Sequence, residues 1–176
     1  KISKGRNKKE KGGVVWHTQG SGKSLTMVFL AQVIRRNEEL KKYKLLYITD
    51  RTQLDSQLTS TFQNTQDETV LQADSVKDLR ELISKDSSDL ITSTIQKFQE
   101  IRGENLKVLN DTENIIVLID EAHRTQYGTF GMVLNTVLPN AAKIAFTGTP
   151  LLNSELTTGE FGDYIDKYTI EQSVED

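Results

Sequence analysis

Short runs of β-branched and aliphatic residues alternate along this chain with longer segments in which apolar residues recur at helical spacing. The strand-like runs are Val14–Trp16, Leu45–Thr49, Leu90–Ser93, Ile115–Asp120 and Lys143–Thr147. The helical segments are Lys23–Glu39, Thr52–Phe62, Ser75–Ser84 and Arg124–Val137. This alternation indicates βαβ units, so the sequence predicts an α/β fold with a mostly parallel central sheet and helices on both faces. Ligands of such sheets bind beyond the carboxyl ends of the strands, where candidate chemistry is therefore expected.

The first strand candidate leads directly into a glycine-rich turn and then into a helix. The turn reads His17-Thr18-Gln19-Gly20-Ser21-Gly22-Lys23-Ser24. Glycine lets successive backbone N–H groups turn inward around a phosphate, and the positive end of the following helix favours an anion. The pattern predicts that residues 18–24 bind a nucleotide, that Lys23 reaches its β- and γ-phosphates, and that the Ser24 hydroxyl binds Mg²⁺.

One position departs from the common phosphate-loop pattern G-x-x-x-x-G-K-[ST], which has glycine where this chain has His17. The alternative is a chance Gly-Lys-Ser in a turn, but the strand before it and the amphipathic helix after it favour a phosphate loop. We expect His17 to shape the turn rather than to bind a metal or to act in catalysis.

A second cluster of chemistry follows the most apolar run of the chain, Ile115–Ile119, which ends in Asp120-Glu121-Ala122-His123. An acid at the carboxyl end of a buried strand near a phosphate loop is placed to hold Mg²⁺, so Asp120 is the predicted metal residue beside Ser24. Glu121 is the predicted catalytic base that activates the attacking water, with Lys23 as the second catalytic residue. The alternative is an ordinary helix N-terminus, where two acids complement the helix dipole.

The amino-acid composition and the net charge exclude or disfavour several kinds of function for this chain. The 176 residues contain no cysteine, which excludes disulfide scaffolds, thiol catalysis and cysteine zinc sites. No run approaches the roughly 18 apolar residues of a membrane span. The formal net charge of −3 disfavours nucleic-acid binding through bulk charge. Residues 1–11 nevertheless carry six basic side chains and one acid, which predicts a basic linker, with a nucleic-acid contact as the alternative.

The ordered motifs resemble those of superfamily-two helicases and translocases. Gly20–Ser24 is similar to motif I, Asp120–His123 to motif II (a DEAH box), and Thr147-Gly148-Thr149-Pro150 to motif III. A closer resemblance is to the restriction (R) subunit of type I restriction–modification enzymes, in which histidine is usual at the position of His17. That resemblance spans roughly residues 12–170 and rests on Val14–Ser24, residues 120–128, Asp50–Gln57 (motif Ia), Thr94–Phe98 and Phe161–Tyr164.

The resemblance implies a RecA-like P-loop NTPase domain that binds ATP and Mg²⁺. It would belong to an ATP-driven motor that pulls double-stranded DNA before cleavage in the prokaryotic cytoplasm, without a membrane partner. The implied partners are modification and specificity subunits, together with a nuclease domain and a second RecA-like domain of the same, longer chain. The second RecA-like domain would supply an arginine finger, so this chain alone is expected to be a nearly inactive ATP hydrolase.

The same resemblance implies that the chain consists of a linker, a domain and the start of a connecting segment. Residues 1–11 would be a linker from an upstream region, residues 12–170 the first RecA-like domain, and residues 171–176 the start of the connection to the second. His123, Thr147, Gly148 and Thr149 would couple the nucleotide state to the DNA-facing surface. For Thr147–Pro150 the alternative is a plain strand-to-loop turn.

DNA contacts are implied at four residues. Motif Ia suggests Arg51 and Thr52, although Thr52 could equally cap the helix that follows it. Gln96 and Lys97 follow the Leu90–Ser93 run at the same edge of the predicted sheet. A few donors on an acidic domain would contact phosphates rather than bases, so the expected binding is salt-dependent and not sequence-specific.

Two other functions remain open. One is another superfamily-two DNA or RNA helicase, although strand-separating members usually carry Ser-Ala-Thr as motif III. The other, from a different class, is a nucleotide-gated binding module whose output is a conformational switch. That module would leave Asp50–Gln57 and Thr94–Phe98 without a role.

Overall fold

Strands and helices alternate along the chain, as the sequence pattern predicts. The computed structural model describes residues 11–18, 22–50, 70–101, 106–120, 127–148 and 161–168. The strands are β1 (Gly13–His17), β2 (Lys44–Thr49), β3 (Val70–Gln72), β4 (Leu90–Thr94), β5 (Ile115–Ile119), β6 (Ala142–Thr147) and β7 (Tyr164–Tyr168). The helices are α1 (Lys23–Arg36), α2 (Val76–Ser84), α3 (Ile95–Glu100) and α4 (Tyr127–Val137). In these ranges, no helix is long and apolar enough to cross a membrane.

The described strands form one parallel sheet of seven strands in the order β3-β4-β2-β5-β6-β1-β7. Leu45 of β2 lies opposite Leu90 of β4 on one side and Ile116 of β5 on the other. Because parallel strands run in one direction, their C-terminal ends meet at one edge, which we call the carboxyl edge. The opposite edge, where the strands begin, is the amino edge.

Alternate residues of the strands enter two cores, one on each face of the sheet. On one face, α1 packs through Met27, Val28, Ala31 and Ile34. The opposite face is covered by α2, α3 and α4, where Phe98 and Phe130 meet edge to face with ring centroids 5.8 Å apart. Each buried aliphatic or aromatic side chain contributes roughly 1.5–3 kcal/mol, so both faces of the sheet stabilise the fold.

The predicted α/β fold is confirmed, and all five predicted strands lie within one residue of their expected bounds. The pattern missed β3 and β7 because a three-residue strand and a mostly exposed strand carry little apolar signal. It also missed α3, a helix of six residues. The prediction for α1 was too long: the helix ends at Arg36 because Asn37 is extended and its side chain accepts from the Glu39 and Leu40 N–H groups.

Other predicted segments fall partly or wholly outside the described residues. These are residues 1–10, the predicted helix Thr52–Phe62, the first three residues of the predicted helix Arg124–Val137, and residues 169–176.

The predicted helix over Ser75–Ser84 begins at Val76, because Ser75 is its N-cap. The Ser75 hydroxyl accepts from the Asp78 N–H, and the Asp78 carboxylate accepts from the Ser75 N–H, which forms a capping box.

A buried lysine at the amino edge caps the end of α2. The Lys44 ammonium, at the start of β2, donates to the carbonyl oxygens of Leu82 (2.6 Å), Ile83 (2.9 Å) and Lys85 (2.6 Å). Carbonyl groups at the end of a helix have no donor within the helix and carry the negative end of its dipole. Burial lowers the pKa of the Lys44 ammonium, and the three acceptors offset the cost of burying it.

Lys143 plays the same part at the end of α4. It lies at the second position of β6 and is 4% exposed. Its ammonium donates to the carbonyl oxygens of Leu138 (3.1 Å) and Ala141 (3.4 Å), which follow the last turn of the helix. The ammonium groups of Lys44 and Lys143 thus have a structural role at the amino edge, where each contacts the end of a helix.

The Lys44→Met substitution should destabilise the domain by about 2–4 kcal/mol, because it leaves three buried carbonyl groups without their donor. Hydrogen–deuterium exchange of the full-length protein should show faster exchange in peptides that cover β2 and α2. Lys42→Met changes an exposed lysine two residues away and is the matched control. Equal exchange in the two variants would contradict the capping role of Lys44.

Candidate functional site

Several buried polar side chains lie at the carboxyl edge of the sheet. β2, β4 and β6 each end in a buried threonine, namely Thr49, Thr94 and Thr147. Thr18 follows β1 and Asp120 follows β5, and both are buried as well. Ligands of parallel sheets bind at this edge, so these residues lie where a ligand is expected.

Helix α1 begins at this edge, and no side chain caps its N-terminus. Its N-cap residue, Gly22, has φ 79° and ψ 25°, a left-handed conformation that glycine adopts without the penalty of other residues. The Gly22 carbonyl accepts from the Thr26 N–H at 3.0 Å, which starts the helix. The described first turn contains no acidic side chain, so the positive end of the α1 dipole favours an anion at this position.

Lys23 places an ammonium group at the same position. Its side chain is buried, with the residue 7% exposed. Its Nζ donates to the carbonyl oxygens of His17 (3.3 Å) and Thr18 (3.2 Å), the two residues that lead from β1 into the phosphate loop. The ammonium therefore lies against the beginning of the loop, within the site that the helix start defines.

The strand order places Asp120 on the other side of β6 from the phosphate loop. Since β6 separates β1 from β5, Asp120 and the end of β1 are two strand spacings, about 10 Å, apart. Thr147, beside Trp16 in the β1–β6 pairing, ends the strand between them. Asp120 is 3% exposed, and its N–H donates to the Ile48 carbonyl oxygen at 2.9 Å. The buried Asp120 carboxylate and the buried Lys23 ammonium thus lie on opposite sides of the end of β6. This arrangement fits a ligand that combines phosphate with a divalent cation.

The ring of His17 packs against the edge strand β7. Its Nε2 donates to Asp166 Oδ2 at 2.7 Å, and its ring centroid lies 5.9 Å from that of Tyr168. This hydrogen bond holds the pKa of the Asp166 carboxyl below its ordinary value. The sequence predicts that His17 shapes the turn; the structure places it as the last residue of β1, paired with β7 and directly before the turn.

The structure brings together part of the predicted nucleotide site. Thr18, Gly22, Lys23 and Ser24 lie around the start of α1, where Ser24 is half-buried. Gly148 directly follows β6, next to Thr147. The predicted residues that lie outside the described part of the chain are Gln19, Gly20, Ser21, Glu121, His123 and Thr149.

Two of the four candidate DNA contacts are described. Gln96 and Lys97 lie in the first turn of α3, directly after β4, which puts them at the carboxyl edge. The Gln96 Nε2 donates to the Asp50 carbonyl oxygen at 3.1 Å and so links α3 to the residue after β2. Arg51 and Thr52 lie outside the described residues.

Sequence reasoning missed Asp166 and the threonines Thr49 and Thr94. A signal for the threonines existed, since the apolar runs of β2 and β4 both end in threonine, as that of β6 does. Asp166 had a weaker signal. It lies just beyond the segment Phe161–Tyr164, in the short run Tyr164–Tyr168, where two tyrosines and an isoleucine give a weak strand signal.

A sequence model of the SWI2/SNF2 ATPase family matches residues 1–176. The chain belongs to the SWI2/SNF2 ATPase family. An ATPase domain binds a nucleotide, and ligands of parallel sheets bind beyond the carboxyl ends of the strands, so the carboxyl edge is the candidate nucleotide site.

Among characterised relatives, the MjaIXP subunit of Methanocaldococcus jannaschii, named a putative type I restriction enzyme endonuclease subunit, is 42% identical over 163 residues. The HindI type I restriction enzyme endonuclease subunit of Haemophilus influenzae is 40% identical over 182 residues. These alignments cover 92% and 93% of this chain but only 16% and 17% of the relatives. The resemblance to type I restriction subunits is confirmed, and the chain spans about one-sixth of the length of these relatives.

Solved structures show the same fold. A nuclease-deletion mutant of the Type ISP restriction–modification enzyme LlaGI, in complex with a DNA substrate mimic, matches with a TM-score of 0.66 and 21% identity. That match covers 93% of this chain and 18% of the LlaGI chain. The helicase domain of Pyrococcus furiosus Hef matches with a TM-score of 0.62 and 16% identity, over 98% of this chain and 38% of Hef. The predicted RecA-like fold is therefore confirmed.

The Lys23→Ala substitution should weaken ATP binding by about tenfold or more, because it removes a charged donor from the start of α1. It should also abolish ATP hydrolysis by the full-length protein. Isothermal titration with ATP and Mg²⁺ checks the first effect, and phosphate release checks the second. Lys42→Ala, at the amino edge, is the control and should behave as wild type. Near-normal binding and turnover in Lys23→Ala would refute the assignment.

Proposed function

We propose that this domain is the ATP-binding half of an ATP-dependent double-stranded DNA translocase within a type I restriction endonuclease. The observation that carries the proposal is the arrangement at the carboxyl edge: the open start of α1 and the buried Lys23 on one side of β6, and the buried Asp120 on the other. Relatives named as type I restriction endonuclease subunits support the cellular role.

In this proposal residues 18–24 hold the ATP phosphates, and Ser24 and Asp120 hold Mg²⁺. When bound, Mg²⁺ would neutralise the charge that develops on the terminal phosphates. Lys23 would contact the β- and γ-phosphates from the start of α1. Glu121, one residue beyond Asp120, would accept the proton of the attacking water, so that hydrolysis depends on both acids in different ways.

Thr147 is the proposed link between ATP and DNA, together with Gly148, Thr149 and His123. It ends β6, the strand between the phosphate loop and Asp120. The surroundings of Thr147 would therefore change between the empty and the nucleotide-bound site. Gln96 and Lys97, at the same edge, are proposed to contact DNA phosphates, and so are Arg51 and Thr52. The Gln96 hydrogen bond to the Asp50 carbonyl would join these two DNA-contacting segments.

The complete motor needs parts beyond this domain. A second RecA-like domain would close over the ATP and supply an arginine finger, a group worth about 10³–10⁵ in rate in related enzymes. A nuclease domain in the same chain and separate modification and specificity subunits would complete the restriction enzyme. We therefore expect very slow ATP hydrolysis by the 176-residue domain alone.

The Glu121→Gln substitution in the full-length protein should retain ATP binding and lose hydrolysis by at least about 10²-fold, because the amide cannot accept the proton of the water. Titration calorimetry and phosphate release under saturating ATP measure the two effects separately. Glu39→Gln, in the exposed turn after α1, is the control. Loss of ATP binding in Glu121→Gln would count against a role as the base.

Double-stranded DNA should stimulate ATP hydrolysis by the assembled enzyme, which distinguishes a DNA motor from a nucleotide-gated binding module. The motor should also displace a third strand from a triplex without separating the duplex strands, which distinguishes a translocase from a strand-separating helicase. A fluorescently labelled third strand reports the displacement. Duplex unwinding would favour the helicase alternative, and turnover indifferent to DNA would favour the binding module.

A further inference from the structure

β7 carries an irregularity that directs one carboxylate toward the phosphate loop. The β1–β7 register shifts between Val14, which pairs with Tyr164, and Val15, which pairs with Asp166. Ile165 is therefore the extra residue of a bulge. Because side chains of a strand alternate between the two faces, this one-residue shift puts Asp166 on the same face of the sheet as Val15 and His17.

Gly13 makes room for this bulge. A Cβ atom at Gly13 would overlap the Ile165 side chain and come within 2.8 Å of the Asp163 carbonyl oxygen. That carbonyl accepts from the Val14 N–H at 3.0 Å and fixes the start of β7. The first residue of β1 and the extra residue of β7 thus fit each other, and the fit determines which β7 side chain reaches His17.

The carboxylate of Asp166 meets a side chain that is largely enclosed. The His17 side chain is 14% exposed, whereas that of Asp166 is 62% exposed and approaches from the solvent side. An ionised carboxylate can only accept a hydrogen bond, so the 2.7 Å contact requires the proton on His17 Nε2. Asp166 therefore fixes both the orientation and the tautomer of the ring.

His17 also belongs to the phosphate loop through its backbone. Its carbonyl and that of Thr18 accept hydrogen bonds from the Lys23 ammonium, and the Thr18 N–H donates to the Tyr168 carbonyl of β7 at 3.2 Å. The first residues of the loop are therefore held to β7 twice, once by a backbone bond and once by the His17 ring. A movement of His17 would shift the carbonyl groups against which Lys23 lies.

We propose that Asp166 is a positioning residue of the ATP site: through His17 it fixes the start of the phosphate loop and the location of Lys23. This inference rests on the proposed role of Lys23 as a phosphate ligand. It explains why histidine occupies the position where most phosphate loops have glycine, because a glycine there could not form a side-chain hydrogen bond with β7. Asp166 itself does not touch the reacting atoms, so its removal should affect ATP binding more than turnover.

The Asp166→Ala substitution in the full-length protein should weaken binding of the fluorescent analogue mant-ATP about fivefold and raise the KM for ATP similarly. The kcat at saturating ATP should change less than about twofold, because the reacting groups are intact. Asp166→Asn keeps an acceptor oxygen at the same place and should restore most of the affinity. Asp163→Ala removes an exposed carboxylate three residues earlier and is the matched control.

A double-mutant cycle with His17→Ala decides whether Asp166 acts through the ring. If it does, the double variant should bind mant-ATP no more weakly than His17→Ala alone; additive losses would overturn the proposal. Lys23→Ala separates this outcome from a failure of the proposed function. Weak binding in Lys23→Ala with wild-type binding in Asp166→Ala would overturn the positioning role alone, whereas wild-type binding in Lys23→Ala would overturn the nucleotide site itself.

Discussion

Parallel pairing of the strands is the constraint on which the site depends. It brings the ends of strands that are distant in the sequence to one edge, and the order of the strands fixes the distances between them. The residues after β1 and β5 are about 100 positions apart in the chain, yet only β6 separates them in the sheet. A separation of two strand spacings between the end of β1 and Asp120 follows directly from that order.

The ends of helices have different hydrogen-bond partners at the two edges of the sheet. At the amino edge, Lys44 and Lys143 satisfy the carbonyl groups at the ends of α2 and α4. At the carboxyl edge, α2 begins with a capping box of Ser75 and Asp78, whereas α1 begins with Gly22 and has no side-chain cap. The N-cap residue of α1 therefore supplies no acceptor for the first N–H groups of the helix, which fits the proposed role of these groups in binding phosphate.

The sequence was sufficient for the five inner strands, whose apolar runs are continuous because both faces of a parallel sheet are buried. It was also sufficient to locate Lys23 and Asp120, since a glycine-rich loop and an acid after an apolar run are local patterns. It was insufficient for β7 and for the contact of Asp166 with His17. That contact depends on the bulge at Ile165, which changes the face on which every later residue of the strand lies. A one-residue shift of this kind depends on the fit of Ile165 over Gly13, and these residues are about 150 positions apart in the chain.

The placement of the basic residues limits what this domain can contribute to the proposed grip on DNA. Lys44 and Lys143 are buried at helix ends and Lys23 is buried at the start of α1, so none of the three is exposed to contact a duplex. Six of the remaining basic residues lie in residues 1–11, and the other 165 residues carry a net charge of −8. Each phosphate contact contributes about 0.9 to the slope of log affinity against log salt concentration. The few contacts expected at Lys97 and its neighbours would therefore give a shallow salt dependence, and a steep one in the intact enzyme would have to originate in other domains or subunits.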